Sequence, residues 1–359
     1  MSTCPLMSVL HTELETVELT SVSLIAALSQ GLSNHNYYIR AYRQGSVNDQ
    51  WVLRVNSQAS SQLCNRVNEV ANWTLAADQG LAPPLNVVAT DFSCYLSEFI
   101  EQDSLDWATM ARAQGAHPLK TEQVLHADAN TLLLSLLKNL QALPLPKNVM
   151  SMMAQWQYYY DVLNTMSNSL NQAQVQCVDV SQTHFSAQNY VQNYAQSQKW
   201  LSAFESLMKN KSVIYEWLQQ VEACLVNNQF CHRDLNPHNL LLNQHQLFAI
   251  DYEYACASHP LWDLAGVLAT HHLSSTQRYD LIRGYLQDHP NLTQGAFQAV
   301  PSSIHLYWVY SACWALIMAF SFLEEGQKLA LDNRNIDEHV AKVDEYLDYF
   351  EQFMHYVSP

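Results

Sequence analysis

The sequence predicts an α+β fold in two lobes, with a small N-terminal antiparallel sheet plus helix and a larger, mainly helical C-terminal lobe. Its 359 residues, 48% of them hydrophobic, are enough to bury a large core. Short apolar runs separated by turn residues fill the first hundred positions, whereas stretches of helical periodicity dominate after Glu101. We therefore divide the chain into residues 1–100 and residues 101–359.

Turn residues divide the N-terminal lobe into five predicted strands and one predicted helix. The helical stretch 60–79 ends at Gly80, which favours a helix stop, and Pro83 prevents the helix from continuing. The strands are predicted at residues 22–28, 36–42, 50–55, 87–89 and 95–100.

Helical periodicity characterises the C-terminal lobe. The segment 167–198 is rich in Gln, Asn and Ser and is predicted to be an exposed loop or a weak helix. The almost wholly apolar stretch 306–320 is short for a membrane span and is predicted to be a buried helix. Helices are predicted at residues 105–113, 130–143, 150–166, 199–227, 261–271, 276–287, 304–323 and 338–356.

Net charge and cysteine usage narrow the possible partners and the compartment. A formal net charge of −16 argues against nucleic acid and against membrane as partners, since either would need a basic patch. The same charge is compatible with a cationic small substrate, and equally with simple solubility. Eight cysteines occur without a CxxC pair or a disulfide framework, and residues 1–19 lack a signal-peptide pattern. These features predict a cytoplasmic protein with reduced thiols.

The most informative motif is a turn that carries two functional side chains. Asp234 and Asn239 flank Pro237, which interrupts the helical pattern, so both side chains can point into one site. Two short apolar strands then form a predicted hairpin that returns the chain to Asp251. This arrangement suits phosphoryl transfer from ATP: Asp234 would accept the hydroxyl proton, while Asn239 and Asp251 would coordinate Mg²⁺.

Two segments carry a resemblance to a known family: residues 232–239, HRDLNPHN, and residues 250–255, IDYEYA. They resemble the choline/ethanolamine kinase and thiamine kinase branch of the aminoglycoside-phosphotransferase-like superfamily, whose members share the two-lobed protein-kinase-like fold. The resemblance covers roughly residues 20–330 and is strongest at residues 230–265. It implies an ATP- and Mg²⁺-dependent kinase that phosphorylates a small, cationic alcohol of the choline, ethanolamine or thiamine type.

The resemblance also implies a nucleotide-binding set in the N-terminal lobe. Gly31 lies in a Gly-Leu-Ser-Asn turn that matches the family's phosphate-covering hairpin, where Ser33 and Asn34 can donate hydrogen bonds. Arg54, in a Leu-Arg-Val strand segment, would pair with the phosphates of the nucleotide. Glu69 on the following helix would hold Arg54 in place by an ion pair.

The connection between the two predicted lobes is the candidate adenine site. The extended segment 97–100 follows the last strand of the predicted sheet, and its backbone groups would bind the adenine edge. Glu98 and Ile100 are the residues assigned to this contact.

Two residues are predicted to support the catalytic loop, residues 232–239, rather than to react. Asp263 matches the family's aspartate that braces this loop through backbone hydrogen bonds, and the N-terminus of the predicted helix there would also favour a carboxylate. His232 is predicted to brace the loop because Asp234 already fills the role of base.

The acceptor pocket is assigned from the chemistry that would recognise a cationic alcohol. Aromatic faces attract quaternary ammonium groups, and carboxylates add an opposite charge. A choline kinase typically has an acceptor-binding Glu seven residues after the bracing Asp, whereas this chain has Thr270, which keeps thiamine or another amino alcohol open. The candidates for acceptor binding are Glu253, Tyr254, Asp263, Trp308 and Trp314.

Three alternatives stay open. The tetrapeptide 232–235 is that of a protein kinase, but Asn236 stands where protein kinases have Lys, and no Gly-rich triple appears. An aminoglycoside kinase fits the same fold, although the segment 253–255 favours the amino-alcohol branch. A catalytically inactive, nucleotide-binding protein is disfavoured because all three core residues are present.

Overall fold

A five-stranded antiparallel sheet lies at the start of the structure. The structure is a computed structural model, which describes residues 19–28, 34–46, 48–56, 64–102, 107–108, 129–177, 187–331 and 335–357. The strands are β1 (Thr20–Ala27), β2 (Asn34–Tyr42), β3 (Gln50–Asn56), β4 (Leu85–Val88) and β5 (Cys94–Glu98). They lie in the order β1-β2-β3-β5-β4, so β3 is central. Ile39, Trp51 and Leu53 are buried on one face, and the alternation of a strand therefore directs Arg54 to the opposite face.

Helix α1 (Arg66–Ala77) contacts the sheet face that bears Arg54. The side chain of Asn65 caps its N-terminus by accepting a hydrogen bond from the Asn68 N–H, so the helix begins at Arg66 rather than at the predicted residue 60. Gly80, with a φ of 69°, follows the end of the helix, where the sequence predicts a stop.

Short strands frame the catalytic loop. They are β6 (Gln229–Cys231), β7 (Leu240–Asn243), β8 (Gln246–Ala249) and β9 (Cys256–Ser258). β7 and β8 form the predicted hairpin, with Gln244 and His245 at positive φ values of 49° and 62°, a turn that matches the twist of the strands. β6 pairs with β9, so the chain entering the loop lies beside the chain leaving residue 255.

Helices make up most of the remaining described residues. Of the two alternatives predicted for 167–198, an exposed loop or a weak helix, the described residues are helical: one helix continues to Cys177 and the next begins at Ala187. The predicted helix 105–113 lies largely outside the described residues. The helices are α2 (Ala129–Gln141), α3 (Met152–Cys177), α4 (Ala187–Met208), α5 (Lys211–Glu222), α6 (Leu261–Thr270), α7 (Ser275–Leu286), α8 (Ala296–Leu331) and α9 (Asp337–Val357).

Helix α8 contains the apolar stretch 306–320. By length and composition it could cross a membrane, but 72% of its most apolar window is buried within the protein, as in the core helix of a soluble domain. It packs along α9 and against α5. The predicted buried helix is therefore present.

The chain forms two compact units, and the predicted lobe boundary at residue 100 stays a prediction. The β7–β8 hairpin lies in the same unit as the segment after α1, and the Ala249 N–H donates to the Leu81 carbonyl at 2.8 Å. The predicted α+β class, with an N-terminal antiparallel sheet and a helical C-terminal part, is confirmed. Unit 1 comprises Met1–Val149 with Val226–Leu292, and unit 2 comprises Met150–Leu225 with Thr293–Pro359.

Candidate active site

Asp234 lies in a turn whose amide side chains hold its carboxylate from two directions. Asn239 Nδ2 donates to Asp234 Oδ2 at 2.7 Å and to the Asp234 carbonyl oxygen at 3.0 Å. Asn236 Nδ2 donates to Asp234 Oδ1 at 2.9 Å. Pro237 begins the short 3₁₀ turn that carries Asn239, and its fixed φ suits that position. The structure thus brings Asp234 and Asn239 together.

Asp263, in the first turn of α6, binds the backbone of the catalytic loop. Its Oδ2 accepts from the His232 N–H at 2.9 Å, and its Oδ1 accepts from the Arg233 N–H at 2.7 Å. Arg233 takes a φ of 71°, which is uncommon for a residue with a side chain, and these bonds help to hold it there. The Arg233 guanidinium also lies 4.0 Å from the ring centroid of Trp262 and donates to the Tyr254 carbonyl at 3.3 Å.

His232 is a neutral link inside the loop. The hydrogen-bond network assigns its proton to Nε2, which donates to the Ile250 carbonyl at 3.0 Å, while Nδ1 accepts from the Asp234 N–H at 3.3 Å. Burial lowers the pKa of His232 to about 4, so the ring is uncharged at pH 7. His232 therefore connects Asp234 to the residue that precedes Asp251.

Helix α1 is hydrogen-bonded to the segment that follows Asp251. Asn72 Nδ2, in the middle of α1, donates to the Ala255 carbonyl at 2.6 Å, and Asn148 Nδ2 donates to the same oxygen at 2.9 Å. Asn72 Nδ2 also lies 3.3 Å from Asn148 Oδ1. The helix that carries Glu69 and the segment that carries Asp251 are thus held together by neutral hydrogen bonds.

Burial raises the pKa of Asp234 and of Asp263, the aspartate that binds the loop backbone. Desolvation is the main cause for Asp234, whose pKa is raised to about 6 although the amides of Asn236 and Asn239 oppose the shift. Desolvation also raises the pKa of Asp263 to about 6, against the two backbone N–H groups. Asp234 is therefore a stronger base than an ordinary aspartate, and it is still mostly ionised at pH 7.

Five charged side chains form a charge cluster next to the loop: Arg54, Arg66, Glu69, Asp251 and Glu253. The expected ion pair is present, with Arg54 Nη2 2.9 Å from Glu69 Oε1. The same guanidinium lies 3.0 Å from Asp251 Oδ1 and 3.4 Å from Glu253 Oε2. Burial would lower the pKa of Arg54, but the three carboxylates raise it above the ordinary value, so Arg54 stays charged.

Arg66 is the member of the charge cluster that sequence reasoning missed. Its Nη1 lies 2.7 Å from Glu69 Oε2 and 3.7 Å from Glu253 Oε2, and its Nη2 donates to Asn34 Oδ1 at 3.2 Å. Asn34 Nδ2 in turn donates to Glu253 Oε2 at 3.4 Å. The available signal was the Arg-x-x-Glu spacing at the start of α1, which puts both side chains on one helix face.

Asn239 and Asp251 have the donor atoms that Mg²⁺ prefers. Both hydrogen bonds of the Asn239 side chain use Nδ2, so the amide oxygen remains as a ligand. Asp251, at a φ of 68°, has a side chain that is 25% exposed, whereas those of Glu69 and Glu253 are 0% and 5% exposed. Oxygens of these three carboxylates lie within 4.8 Å of one another, with the two arginines bound between them. Amide and carboxylate oxygens suit Mg²⁺, so the residues fit this ion.

The other nucleotide candidates are only partly described. Gly31 and Ser33 lie outside the described residues. Glu98 ends β5, and the ring of the next residue, Phe99, stacks on a tyrosine of β2 with centroids 3.9 Å apart. Glu98 and Ile100 stay predictions as adenine contacts.

The acceptor candidates divide between the two units. Glu253 and Asp263 bind protein groups in unit 1, the two arginines and the loop backbone, which favours positioning roles over contact with an acceptor. Tyr254 is partly exposed and stays a candidate. Trp308 and Trp314 lie on α8 in unit 2, each with an α9 aromatic ring 5.6 Å away between centroids. They also stay predictions.

A family model and a curated relative match parts of this chain. A family model described as "Phosphotransferase enzyme family" matches residues 25–295. Protein LicA of Haemophilus influenzae is 29% identical over 114 residues, which cover 28% of this chain and 43% of LicA. The alignment therefore spans less than half the length of that relative.

Two solved structures share the fold at low sequence identity. Choline kinase LicA from Streptococcus pneumoniae has a TM-score of 0.54 at 15% identity, covering 96% of this chain and 98% of that one. The gentamicin–APH(2")-IIa complex has a TM-score of 0.54 at 12% identity, covering 98% and 99%. At these identities the likeness shows the fold and does not separate the two substrate classes.

Proposed function

We propose that this chain, which belongs to the phosphotransferase enzyme family, transfers the terminal phosphoryl group of ATP to the hydroxyl of a small cationic alcohol of the choline, ethanolamine or thiamine type. The family match over residues 25–295 supports the coarser activity, that of a phosphotransferase. The observation that carries the proposal is the 2.7 Å hydrogen bond from Asn239 Nδ2 to Asp234 Oδ2, which fixes a basic carboxylate beside a cation ligand.

Asp234 would accept the proton of the acceptor hydroxyl. Asn236 and Asn239 hold its carboxylate in one orientation, so little reorganisation is needed when the acceptor binds. The hydroxyl oxygen bonds to the terminal phosphorus of ATP as the bond between that phosphorus and the bridging oxygen breaks. ADP leaves with the electron pair of the broken bond. The proton released by the hydroxyl passes to Asp234.

The Asn239 amide oxygen and the Asp251 carboxylate would hold Mg²⁺. The ion neutralises phosphate charge in this class of reaction. Arg54 would bind phosphate oxygens, and to do so it exchanges its 3.0 Å contact with Asp251 for a contact with the nucleotide. Positioning and electrostatics then supply most of the rate acceleration.

A cationic acceptor agrees with two further observations. The chain carries a net charge of −16, which favours the approach of a cation. The solved LicA with the same fold is described as a choline kinase. Position 270, where a choline kinase has a carboxylate, is a threonine in this chain, and its hydroxyl donates to the Gly266 carbonyl of its own helix at 2.7 Å. Thiamine and ethanolamine are therefore included with choline, and the proposed location is the cytoplasm, where ATP is available.

A coupled ADP-release assay tests the proposal. The purified chain is given ATP and Mg²⁺ with choline, ethanolamine, thiamine, an aminoglycoside and a generic protein substrate in parallel. We expect acceptor-dependent ADP release with one of the three amino alcohols, and none with Asp234→Asn.

Two other results would count against it. ADP release with only the aminoglycoside or only the protein substrate would show that the acceptor is not an amino alcohol. Tight ATP binding without turnover on any acceptor would favour the inactive, nucleotide-binding alternative.

A further inference from the structure

We propose that Arg66 is a positioning residue of the nucleotide site, which keeps Arg54 available for phosphate by satisfying the carboxylates that would otherwise occupy it. The inference rests on the proposed function, since it takes Arg54 to be the residue that meets the phosphates. Arg66 itself is not placed against the substrate.

The charges of the cluster show why a second cation is needed. Arg54 lies 2.9 Å from Glu69, 3.0 Å from Asp251 and 3.4 Å from Glu253, so one guanidinium faces three carboxylates. Arg66 also binds two of these, Glu69 at 2.7 Å and Glu253 at 3.7 Å. The third carboxylate, Asp251, pairs with Arg54 at 3.0 Å. Asp251 is the candidate metal ligand, so a bound metal ion would take the place of Arg54 as its cationic partner.

The contacts close into a ring of alternating charge, from Arg54 to Glu69 to Arg66 to Glu253 and back to Arg54. In such a ring each carboxylate has two cationic partners. When Arg54 turns a guanidinium nitrogen towards a phosphate oxygen, Glu69 and Glu253 keep Arg66. The exchange therefore leaves no buried carboxylate without a cation, which would otherwise be costly.

Local preferences argue against an arginine at this position, so tertiary contacts must hold it there. Arg66 is the first residue of α1, where the positive end of the helix dipole disfavours a cation. The order Arg before Glu69 along the helix is also the weaker orientation for such a pair. The side chain is nevertheless only 7% exposed. A residue that breaks local rules at a buried, charged site is expected to serve function.

Arg66 also reaches the start of the strand that follows the candidate phosphate turn. Its Nη2 donates to Asn34 Oδ1 at 3.2 Å, and Asn34 is the first residue of β2. Asn34 Nδ2 donates to Glu253 at 3.4 Å. One guanidinium thus joins α1, the start of β2 and the segment after Asp251, and so holds the two glutamates in place around Arg54.

Nucleotide affinity is the measurement that tests this inference. For Arg66→Gln we expect the Kd for Mg-ATP, measured by calorimetry without acceptor, to rise about tenfold or more, because Glu69 and Glu253 each lose their second cation. We expect kcat at saturating ATP to stay within about twofold, because the catalytic loop is untouched. Arg40→Gln is the matched control: Arg40 forms an exposed pair with Asp49 at 3.2 Å in the same sheet, and its loss should leave the Kd unchanged.

Two more variants separate positioning from folding. Arg66→Lys keeps the charge but not the fork, so we expect a Kd between those of the wild type and Arg66→Gln. The double variant Arg54→Gln with Arg66→Gln should bind no worse than Arg54→Gln by itself, because Arg66 acts through Arg54. Additive losses in this cycle would overturn the inference.

A folded Arg66→Gln with wild-type affinity overturns the inference, and if that variant does not fold, wild-type affinity of Arg66→Lys does so. Absence of ATP binding by the wild-type chain is a separate result, since it removes the proposed function rather than the role of Arg66 within it.

Discussion

The charge cluster and the catalytic loop both bury carboxylates, but they satisfy them by different means. In the charge cluster, Glu69 and Glu253 lie against two guanidinium groups, and the pKa of Arg54 is raised. In the catalytic loop, Asp234 accepts hydrogen bonds from side-chain amides, and Asp263 of α6 accepts them from the backbone of the loop. Burial raises both pKa values to about 6.

The difference separates two tasks. Ion pairs keep both partners charged, which suits groups that must hold phosphate and metal. Neutral donors orient a carboxylate without fully offsetting its desolvation, which leaves it able to gain a proton near neutral pH. The same residue type therefore serves as a fixed charge in one region and as a base in the other.

The largest effect is expected from Asp234→Asn. The change removes the base but keeps the size of the side chain, so kcat should fall by about 10²–10⁴-fold, the usual contribution of a general base. The Kd for Mg-ATP, measured by calorimetry, should change little. Asp49→Asn, at a carboxylate that is 60% exposed, is the control and should retain activity. An equal loss in that control would remove the distinction between base and fixed charge.

Asp251→Asn tests the other region. Loss of a metal-ligand charge should weaken Mg-ATP binding by about 10-fold to 100-fold, whereas binding of ATP without Mg²⁺ should not weaken, because Arg54 is released from its contact with Asp251. Calorimetry with and without Mg²⁺ measures both. Equal weakening in the two titrations would contradict the assignment of Asp251 as a metal ligand.

Asp263→Asn sharpens the comparison at a carboxylate that does not react. The amide side chain of the variant has one oxygen, which can accept a hydrogen bond from the N–H of either Arg233 or His232. Its NH₂ group then faces the other N–H, and two donors cannot bond to each other. We expect a loss of about 1–3 kcal/mol in the free energy of unfolding, measured by denaturant titration. Unchanged stability would mean that the loop is held by other contacts.

The smallest effect concerns pH. Because burial raises the pKa of Asp234 to about 6, the unprotonated base is lost as pH falls through that value. We expect kcat/KM to be level above about pH 7 and to fall about tenfold per pH unit below pH 6. A profile that falls only below pH 4, near the pKa of an ordinary aspartate, would contradict the effect of burial.

The parts of the site that lie close in sequence were predictable, and the parts that depend on distant contacts were not. Asp234, Asn239 and Asp251 sit on one turn and one hairpin, so their spacing was enough. The Arg54–Glu69 pair was expected from the family resemblance, and the structure shows it. The role of Arg66 depends on Glu253 and Asn34, which the fold brings together from distant parts of the chain.

Composition did not decide between a loop and a weak helix for one segment, because the packing that fixes the helices comes from elsewhere in the fold. Residues 167–198 are polar, yet Leu170 is buried on α3, and Gln196 and Ser197 are buried on α4. Few apolar residues are enough to fix such long helices when neighbouring helices supply the rest of the packing. The bracing contacts predicted for Asp263 are present, whereas the contacts of Glu253 with the two arginines could not be predicted, because the sequence does not show which oxygens the protein itself uses.

The hydrogen bonds between Asn72, Asn148 and Ala255 have one consequence for the placement of α1. Since they fasten α1 to the segment after Asp251, the helix cannot swing outwards to separate Glu69 from Arg54 without breaking bonds at 2.6 and 2.9 Å. The bonds therefore bias α1 towards the position in which Glu69 pairs with Arg54, before any nucleotide binds.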